Sequence, residues 1–392
     1  MADRTLNPFT WTDALPRADA VSREPFTEQV ALTLKAGTHT SLFGPRGTGK
    51  TSFLLELKEE VSREHGKDAP PWSMIMIDLR RAISLPAFIG AVSDALRTHP
   101  DRALRRKAST ALRDVEKEFG INLGVVKAGV KSGRRRGDDV NEDVILHAQL
   151  AALPKLADRI AIAFDEFQRL YHCPGDPLSQ IRSALMGPEN ARHVSLMLTG
   201  SLREKLKLML KTDTEPIWDQ AHDMDLPDLP FAEFVDYLQL RFEASGRPIS
   251  DHAVEHLVEL GGNHPKRTQQ LAWNIWERAS ADETIDDELV DISYEALLSS
   301  EEQVAQIVDS LLAGDEAEVN QARVLFMLGG GESLGSRIRA KKYGLADESA
   351  ALRAAERLKK RGIIAGSGTE YHVVDPLLAE WLRRSDPVWL GL

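Results

Sequence analysis

The chain has 392 residues, with 49 Lys and Arg against 60 Asp and Glu, for a formal net charge of -11. That length implies about two to four domains. Apolar residues at 42% and charged residues at 28% exclude a wholly disordered or fibrous chain, and the acidic total argues against a uniformly basic coat for nucleic acid. The single cysteine, Cys173, can form neither an intramolecular disulfide nor a Cys-rich zinc site, which suits a reducing compartment. The apolar runs Ser73–Ile77 and Ile160–Phe164 fall far short of the roughly 20 residues that span a bilayer. The opening residues carry no apolar signal core. The expectation is a soluble, cytoplasmic protein with no membrane contact.

In chain order, Thr38–Phe43 reads as a short strand. Gly44, Pro45, Arg46, Gly47, Thr48, Gly49, Lys50 and Thr51 come next as GxxxxGK[ST], and Thr51–Leu57 continues as an apolar-rich helix. Strand, glycine loop and helix in this order form a phosphate-binding loop. Its glycines let backbone N–H groups turn toward phosphate oxygens at the positive end of a helix. Lys50 is expected to reach the β- and γ-phosphates, and Thr51 to hold Mg²⁺ through its hydroxyl, with Ser52 completing the loop. Trp72–Asp78 reads as a second strand, leading to Leu79, Arg80 and Arg81.

Between Arg102 and Arg136 lie eleven basic and three acidic residues, including Arg105-Arg106-Lys107 and Arg134-Arg135-Arg136. Val125–Lys131 alternates within it like a hairpin. This is a basic insertion in the core, open to two readings, a DNA contact or a solvated flexible loop. Ile160–Phe164 then reads as a buried parallel strand ending in Asp165 and Glu166, at the end where α/β sheets place their ligands. Asp165 is expected to hold Mg²⁺, and Glu166 to orient and deprotonate the attacking water. Val194–Thr199 is a fourth strand, leading into Gly200 and Ser201. Thr199 and Ser201 are candidates to touch the γ-phosphate or the water, against the alternative of an ordinary polar turn.

From Phe231 the period becomes helical, with Phe234, Leu238 and Phe242, then Ala253, Leu257 and Leu260, then Leu271 and Ile275. This predicts a helical lid. His252 and His256 fit HxxEH, but a zinc peptidase needs a further carboxylate ligand and its own fold, so an amphipathic helix is the reading. Residues 318–385 read as a winged helix. Its predicted helices are Asn320–Leu328, Leu334–Tyr343 and Asp347–Arg361, with Leu352, Ala355 and Leu358 inward. A hairpin completes it, from Gly362–Ala365 and Tyr371–Val374 about a Gly366-Ser367-Gly368 turn. Nine basic and three acidic residues lie between Arg337 and Arg361, which suits DNA phosphates, or else a solvated basic face on a module for subunit contacts.

Taken together, these residues resemble the archaeal-type ATPases of the AAA+/STAND branch, which also occur in bacteria and are related to origin-recognition initiators. Asn7-Pro8-Phe9 and Val21-Ser22-Arg23-Glu24 resemble that family's opening NPF … GRE box. GPRGTGKTS resembles its phosphate loop, and Asp165-Glu166-Phe167-Gln168 its DEFQ motif. Leu198–Ser201 resembles LTGS, Gly262–Pro265 the GxP lid signature, and Tyr371–Leu377 with Trp381-Leu382 its C-terminal Y-x-[IV]-x-DP … WL. The likeness runs from about residue 7 to 385. It implies an α/β P-loop NTPase parallel sheet with a helical lid and a C-terminal winged-helix domain. The implied parts are a core at 1–229, a lid at 230–300 and a winged helix at 301–392. It implies ATP and Mg²⁺ as cofactors, Arg23 and Pro265 beside the nucleotide base, and Lys266 or Arg267 as a phosphate sensor, with Arg267 preferred.

One departure is that Pro216–Gln220 stands where the family often carries LYGR. No arginine finger can be named, Arg203 being only a candidate, so hydrolysis is expected to be slow or partner-stimulated. The function implied is an ATP-hydrolysing switch that couples nucleotide state to DNA or a partner, with a homo-oligomer or a separately encoded effector in view. The rival readings are a transposition-type target selector, an ATPase subunit of a defence or toxin system, and a nucleotide-liganded DNA-binding regulator without turnover.

Overall fold

The computed structural model describes residues 6–63, 72–123, 141–191, 193–202, 206, 221–281, 283–300 and 302–385. The hairpin expected at Val125–Lys131, the run Arg134–Arg136, Arg203 and Pro216–Gln220 lie outside the described residues. Contacts divide the chain into two compact units. One comprises Leu15–Gly44 and Lys50–Pro227; the other comprises Met1–Ala14, Pro45–Gly49 and Asp228–Leu392.

The first unit is built on a five-stranded parallel sheet. In chain order its described elements are α1 (Phe26–Lys35), β1 (His39–Phe43), α2 (Lys50–Ser62), β2 (Trp72–Asp78), α3 (Leu85–Arg97), α4 (Arg102–Phe119), α5 (Glu142–Ala152), β3 (Arg159–Asp165), α6 (Pro177–Leu185), β4 (Val194–Gly200) and β5 (Ala221–Asp225). The strand order is β2-β3-β4-β1-β5. Successive residues of β3 serve opposite faces. Ala161 and Ala163 pack with Phe53, Leu54 and Leu57 of α2, while Ile160, Ile162 and Phe164 pack with Phe88 and Ile89 of α3 and Leu146 and Leu150 of α5. A strand covered on both faces must be apolar throughout, hence the unbroken run that precedes Asp165.

The four strands expected from sequence are present, each within about a residue of its predicted ends. The fifth, β5, is an addition to that expectation. Its sequence, AHDMD, has one buried residue, Met224, because it lies at the sheet edge beside β1 and needs little apolar surface. The reading of the basic insertion as a flexible loop fails for its first half. Arg102–Phe119 is a helix that buries Leu104, Ala108, Leu112 and Val115 and is capped by Asp101. Those apolar residues recur at four, four and three, which is the helical period.

The second unit holds α7 (Phe231–Ala244), α8 (Asp251–Leu260), α9 (Pro265–Arg278), α10 (Asp287–Ser300), α11 (Glu302–Leu312), α12 (Glu316–Gly329), α13 (Arg337–Lys342), α14 (Glu348–Lys360), the hairpin β6 (Ile364–Ser367) and β7 (Glu370–Val373), and α15 (Pro376–Arg384). The N-terminal segment joins it, Phe9 packing on Phe242 at 4.5 Å and Trp11 on Trp273 at 5.2 Å. The inward residues expected along α7 to α9 are buried except Leu260, which is half-buried. On α14, Ala355 and Leu358 are buried and Leu352 is half-buried.

The hairpin differs from expectation in its turn. Gly366 and Ser367 belong to β6, Ser367 pairs with Glu370, and the turn is Gly368-Thr369. Gly366 has φ 127, and a Cβ there would strike the backbone of Glu370 and Tyr371, so this glycine serves a close backbone approach within the strand rather than the turn. His252 and His256 of α8 each face an aspartate of α10, at 2.7 Å to Asp287 and 2.8 Å to Asp291. Among the described residues no group of three or more His, Cys, Asp or Glu could hold a metal ion. No helix among them is long and apolar enough to cross a membrane.

Candidate nucleotide site

In the sheet unit, the polar residues gather where β3 and β4 end. Asp165 closes β3 and is fully buried. Its two carboxylate oxygens are approached separately. Thr51 Oγ1, at the start of α2, donates to Oδ2 at 2.8 Å, and Thr199 Oγ1, at the end of β4, donates to Oδ1 at 2.6 Å. The Glu166 backbone N–H also donates to Oδ1, at 3.1 Å. Parallel register explains the convergence. β3 lies between β2 and β4, and β4 lies beside β1, so all these strands finish on one edge.

The sequence points Thr199 toward the phosphates. Thr199 is wholly buried, and its hydroxyl donates to Asp165. Lys50, almost fully buried, donates from Nζ to the Gly44 carbonyl at 2.7 Å. Ser52 Oγ accepts from the Leu15 N–H at 3.0 Å, which ties the segment before α1 to α2. Glu166 has φ 58, in the left-handed region that few residues other than glycine adopt. Its Oε2 accepts from the Gln168 side-chain amide and, at 3.4 Å, from Ser201 Oγ.

Arg23 is buried, donating from Nε to the Pro227 carbonyl at 2.9 Å. Its loop is gathered by Glu56 of α2, which sequence reasoning missed. Glu56 is 1% exposed and accepts from Ser22 Oγ at 2.5 Å, Thr27 Oγ1 at 3.0 Å and the Arg23 N–H at 3.4 Å. The available signal is its place between Phe53, Leu54 and Leu57 on the inward face of α2. Asp78 and Arg80 are likewise missed by sequence reasoning. Arg80 forks onto Asp78 at 2.6 Å, one strand away from Asp165, with which Asp78 is in register. The hydrogen bond that Arg80 donates to Asp78 raises its guanidinium above its ordinary value, and the charges of Asp165 and Glu166 add to it.

In the other unit lie Pro45, Arg46, Gly47, Thr48 and Gly49 of the phosphate-binding loop. Gly47 and Gly49 have φ 86 and 89, which L side chains rarely adopt. A Cβ on Gly47 would also lie 2.6 Å from the His264 ring. Thr48 Oγ1 bridges back to the Pro45 carbonyl at 2.9 Å. The start of α9 holds this loop. Lys266 N–H donates to the Gly47 carbonyl at 3.2 Å, and His264 Nε2 lies 3.1 Å from the Arg46 carbonyl. His264 caps α9 by accepting from the Arg267 N–H, and Pro265 opens the helix, where its missing N–H costs nothing. Burial lowers the His264 imidazole below its ordinary value, and the neutral ring suits a histidine that donates at Nε2 and accepts at Nδ1.

Arg267 is the residue preferred from the sequence as a phosphate sensor. It is 5% exposed and grips Asp375, Nη2 to Oδ2 at 2.6 Å and Nε to Oδ1 at 3.0 Å, while Nη1 donates to Gln270 Oε1 at 2.7 Å. Asp375 also caps α15 by accepting from the Leu377 N–H at 3.0 Å. Burial works to raise the Asp375 carboxyl, but the hydrogen bonds and charge of Arg267 outweigh it and hold the carboxyl below its ordinary value. The sensor expectation thus meets a carboxylate partner that the sequence, with Arg267 and Asp375 over a hundred positions apart, does not join.

No protein-family model and no curated protein matches the sequence. Solved structures do match in fold. The chain is similar to a Walker-type ATPase of Pyrococcus abyssi, with a TM-score of 0.66 and 18% identity over 96% of this chain and 99% of that one. It is also similar to the ORC2 protein of Aeropyrum pernix in its ADPNP–ADP complexes, with a TM-score of 0.60 and 15% identity over 96% of this chain and 95% of that one. The ADP form of that ORC2 protein gives a TM-score of 0.53 and 12% identity over 94% and 93% of the two chains. The chain therefore has the α/β P-loop NTPase fold of these archaeal ATPase and ORC proteins.

Proposed function

We propose that this chain, with the fold of archaeal Walker-type ATPase and ORC proteins, binds ATP·Mg²⁺ at residues 44–51, hydrolyses it, and couples its nucleotide state to a DNA or protein partner. The observation that carries this reading is Asp165, fully buried at a strand end with a threonine hydroxyl from α2 on one oxygen and one from β4 on the other. A buried carboxylate is costly unless something compensates it. Asp165 and the Thr51 hydroxyl form a hard oxygen donor set, which suits Mg²⁺ in company with phosphate oxygens. When bound, Mg²⁺ would neutralise charge developing on the β- and γ-phosphates. Lys50 would hold those phosphates, the glycine loop would offer them backbone N–H groups, and Glu166 would take the proton from the attacking water. The ORC2 structure described with ADPNP and ADP supports a nucleotide in this fold.

We read residues 1–229 as the ATPase core, 230–300 as its lid and 301–392 as a winged-helix domain, all cytoplasmic. Three helices and then a hairpin, α12 to β7, support the winged helix. Arg337, Arg339 and Lys341 on α13 and Arg353, Arg357 and Lys360 on α14 are exposed, and their charge fits the phosphates of DNA. Helix α4 adds a second basic surface. Residues 102–113, the first two-thirds of the helix, carry five basic and no acidic side chains, against the sense of the helix dipole. The Arg267–Asp375 pair supports coupling, because α9 holds Arg46 and Gly47 at its start and Asp375 stands at the cap of α15. Electrophoretic mobility shift of duplex DNA with and without ATP, at two salt concentrations, tests the partner. Binding that depends on ATP and weakens steeply with salt is expected. No shift under any condition would make the domain a protein-interaction module.

A further inference from the structure

We propose that Gln168 is the positioning residue for Glu166 in hydrolysis, acting together with Ser201 and the open space at Gly200; this rests on the hydrolytic reading given above. Glu166 occupies a left-handed backbone conformation, φ 58 and ψ 42. Such a conformation persists in a residue other than glycine only where its surroundings fix it. Here the backbone is fixed by two bonds, Glu166 N–H to Asp165 Oδ1 at 3.1 Å and Arg169 N–H to the Glu166 carbonyl at 2.9 Å. The side chain is fixed by Gln168. Its amide nitrogen donates to Glu166 Oε2 and to Ser201 Oγ, the latter at 3.2 Å, and Ser201 Oγ itself lies 3.4 Å from Glu166 Oε2.

The other end of that amide carries a cost. Gln168 is 5% exposed, and its Oε1 is buried with no hydrogen-bond partner among the described residues. Turning the amide over would set Oε1 against the carboxylate of Glu166, so the donors toward Glu166 are retained at the expense of an unsatisfied acceptor. Gly200 makes that orientation possible. A Cβ there would lie 2.5 Å from Gln168 Oε1. Three consecutive residues of one strand end thus serve both acids. Thr199 donates to Asp165, Gly200 leaves room for Gln168, and Ser201 meets Gln168 and Glu166.

The arrangement determines which oxygen of Glu166 reacts. Oε2 already accepts from Gln168 and Ser201, whereas no described residue donates to Oε1. In the step, the water proton passes to Oε1 and the water oxygen bonds to the γ-phosphorus. The bond from that phosphorus to the β–γ bridging oxygen breaks, and its electron pair leaves with ADP. Gln168 touches neither phosphate nor water in this scheme and works only through Glu166.

The test compares Gln168→Ala, Gln168→Glu and Gly200→Ala in the full chain, with phosphate release and equilibrium ATP binding measured for each. Loss of a hydrogen bond to a charged group corresponds to roughly 10- to 100-fold, so kcat is expected to fall by about that factor while the Kd for ATP stays within about twofold. Gln168→Glu keeps the size and loses the donor, so it reads the effect even if Gln168→Ala folds poorly. In a Glu166→Gln background, Gln168→Ala is expected to remove nothing further, because a residue acting through Glu166 cannot be counted twice. Undiminished kcat, a parallel loss of ATP affinity, or losses that multiply in that background would overturn the proposal. A wild-type chain that binds ATP without releasing phosphate would instead overturn the hydrolytic reading, and this proposal with it.

Discussion

The ends of β3 and β4 and the start of α9 are both buried, polar and rich in charge, yet they are matched differently. At the strand ends, Asp165 meets hydroxyls and a backbone N–H, neutral donors that orient a carboxylate without neutralising it. At α9, Arg267 meets a full carboxylate in a forked pair, with a glutamine on its remaining arm. The first pattern keeps a negative charge directed and chemically useful. The second pairs charge with charge, which is how a buried arginine is held in place. Burial and polarity are common to the two regions; the charge of the partners distinguishes them.

The sharpest way to break that contrast is at Glu166. Replacing it with Gln is expected to lower phosphate release by about 10²- to 10⁴-fold, the usual contribution of a general base, with ATP binding retained. Release at the wild-type rate would remove Glu166 from the chemistry. Next in size is the Arg267–Asp375 pair. Asp375→Asn leaves Arg267 buried beside a neutral amide, and because Asp375 is one-third exposed the loss is expected at about 2–3 kcal/mol, below that of a fully buried pair. Urea unfolding monitored by circular dichroism reads it. ATP affinity that collapses in Asp375→Asn while stability holds would support a direct role of Arg267 at the phosphates.

A smaller, distributed effect comes from pH. Burial lowers His39, His99 and His264 below the ordinary 6.5. The folded chain holds these rings neutral, while the unfolded chain takes up protons as pH falls through about 6.5. Their contribution to stability is therefore present above that pH and lost on acidification toward the lower folded values. Melting temperature is expected to drop between pH 7.5 and 5.5. An unchanged melting temperature would contradict it.

The strand-end region is largely legible in the sequence, because its signals are local. GPRGTGKT marks a loop between strand and helix, and the apolar runs before Asp165-Glu166 and before Thr199 each mark a strand and its polar end. Parallel pairing then brings the strand ends together. The division of work among the side chains is not legible there. Thr199 donates to Asp165, and Gln168 spans Glu166 and Ser201 across more than thirty positions. The α9 region is harder, since its decisive contact joins Arg267 to Asp375 and periodicity carries no information about such a pair. β5 escapes sequence reasoning because an edge strand need not be apolar. In Arg102–Phe119 the dense charge masks a helical period of buried leucines, an alanine and a valine.

The central claim is that residues 44–51 bind ATP with Mg²⁺, and isothermal titration of ATP into the wild-type chain and Lys50→Ala, each with and without Mg²⁺, tests it most directly. Saturable binding that depends on Mg²⁺ is expected in the wild type, weakened roughly 10- to 100-fold by loss of the charged lysine contact. Equal affinity in the two chains would contradict the assignment of the site.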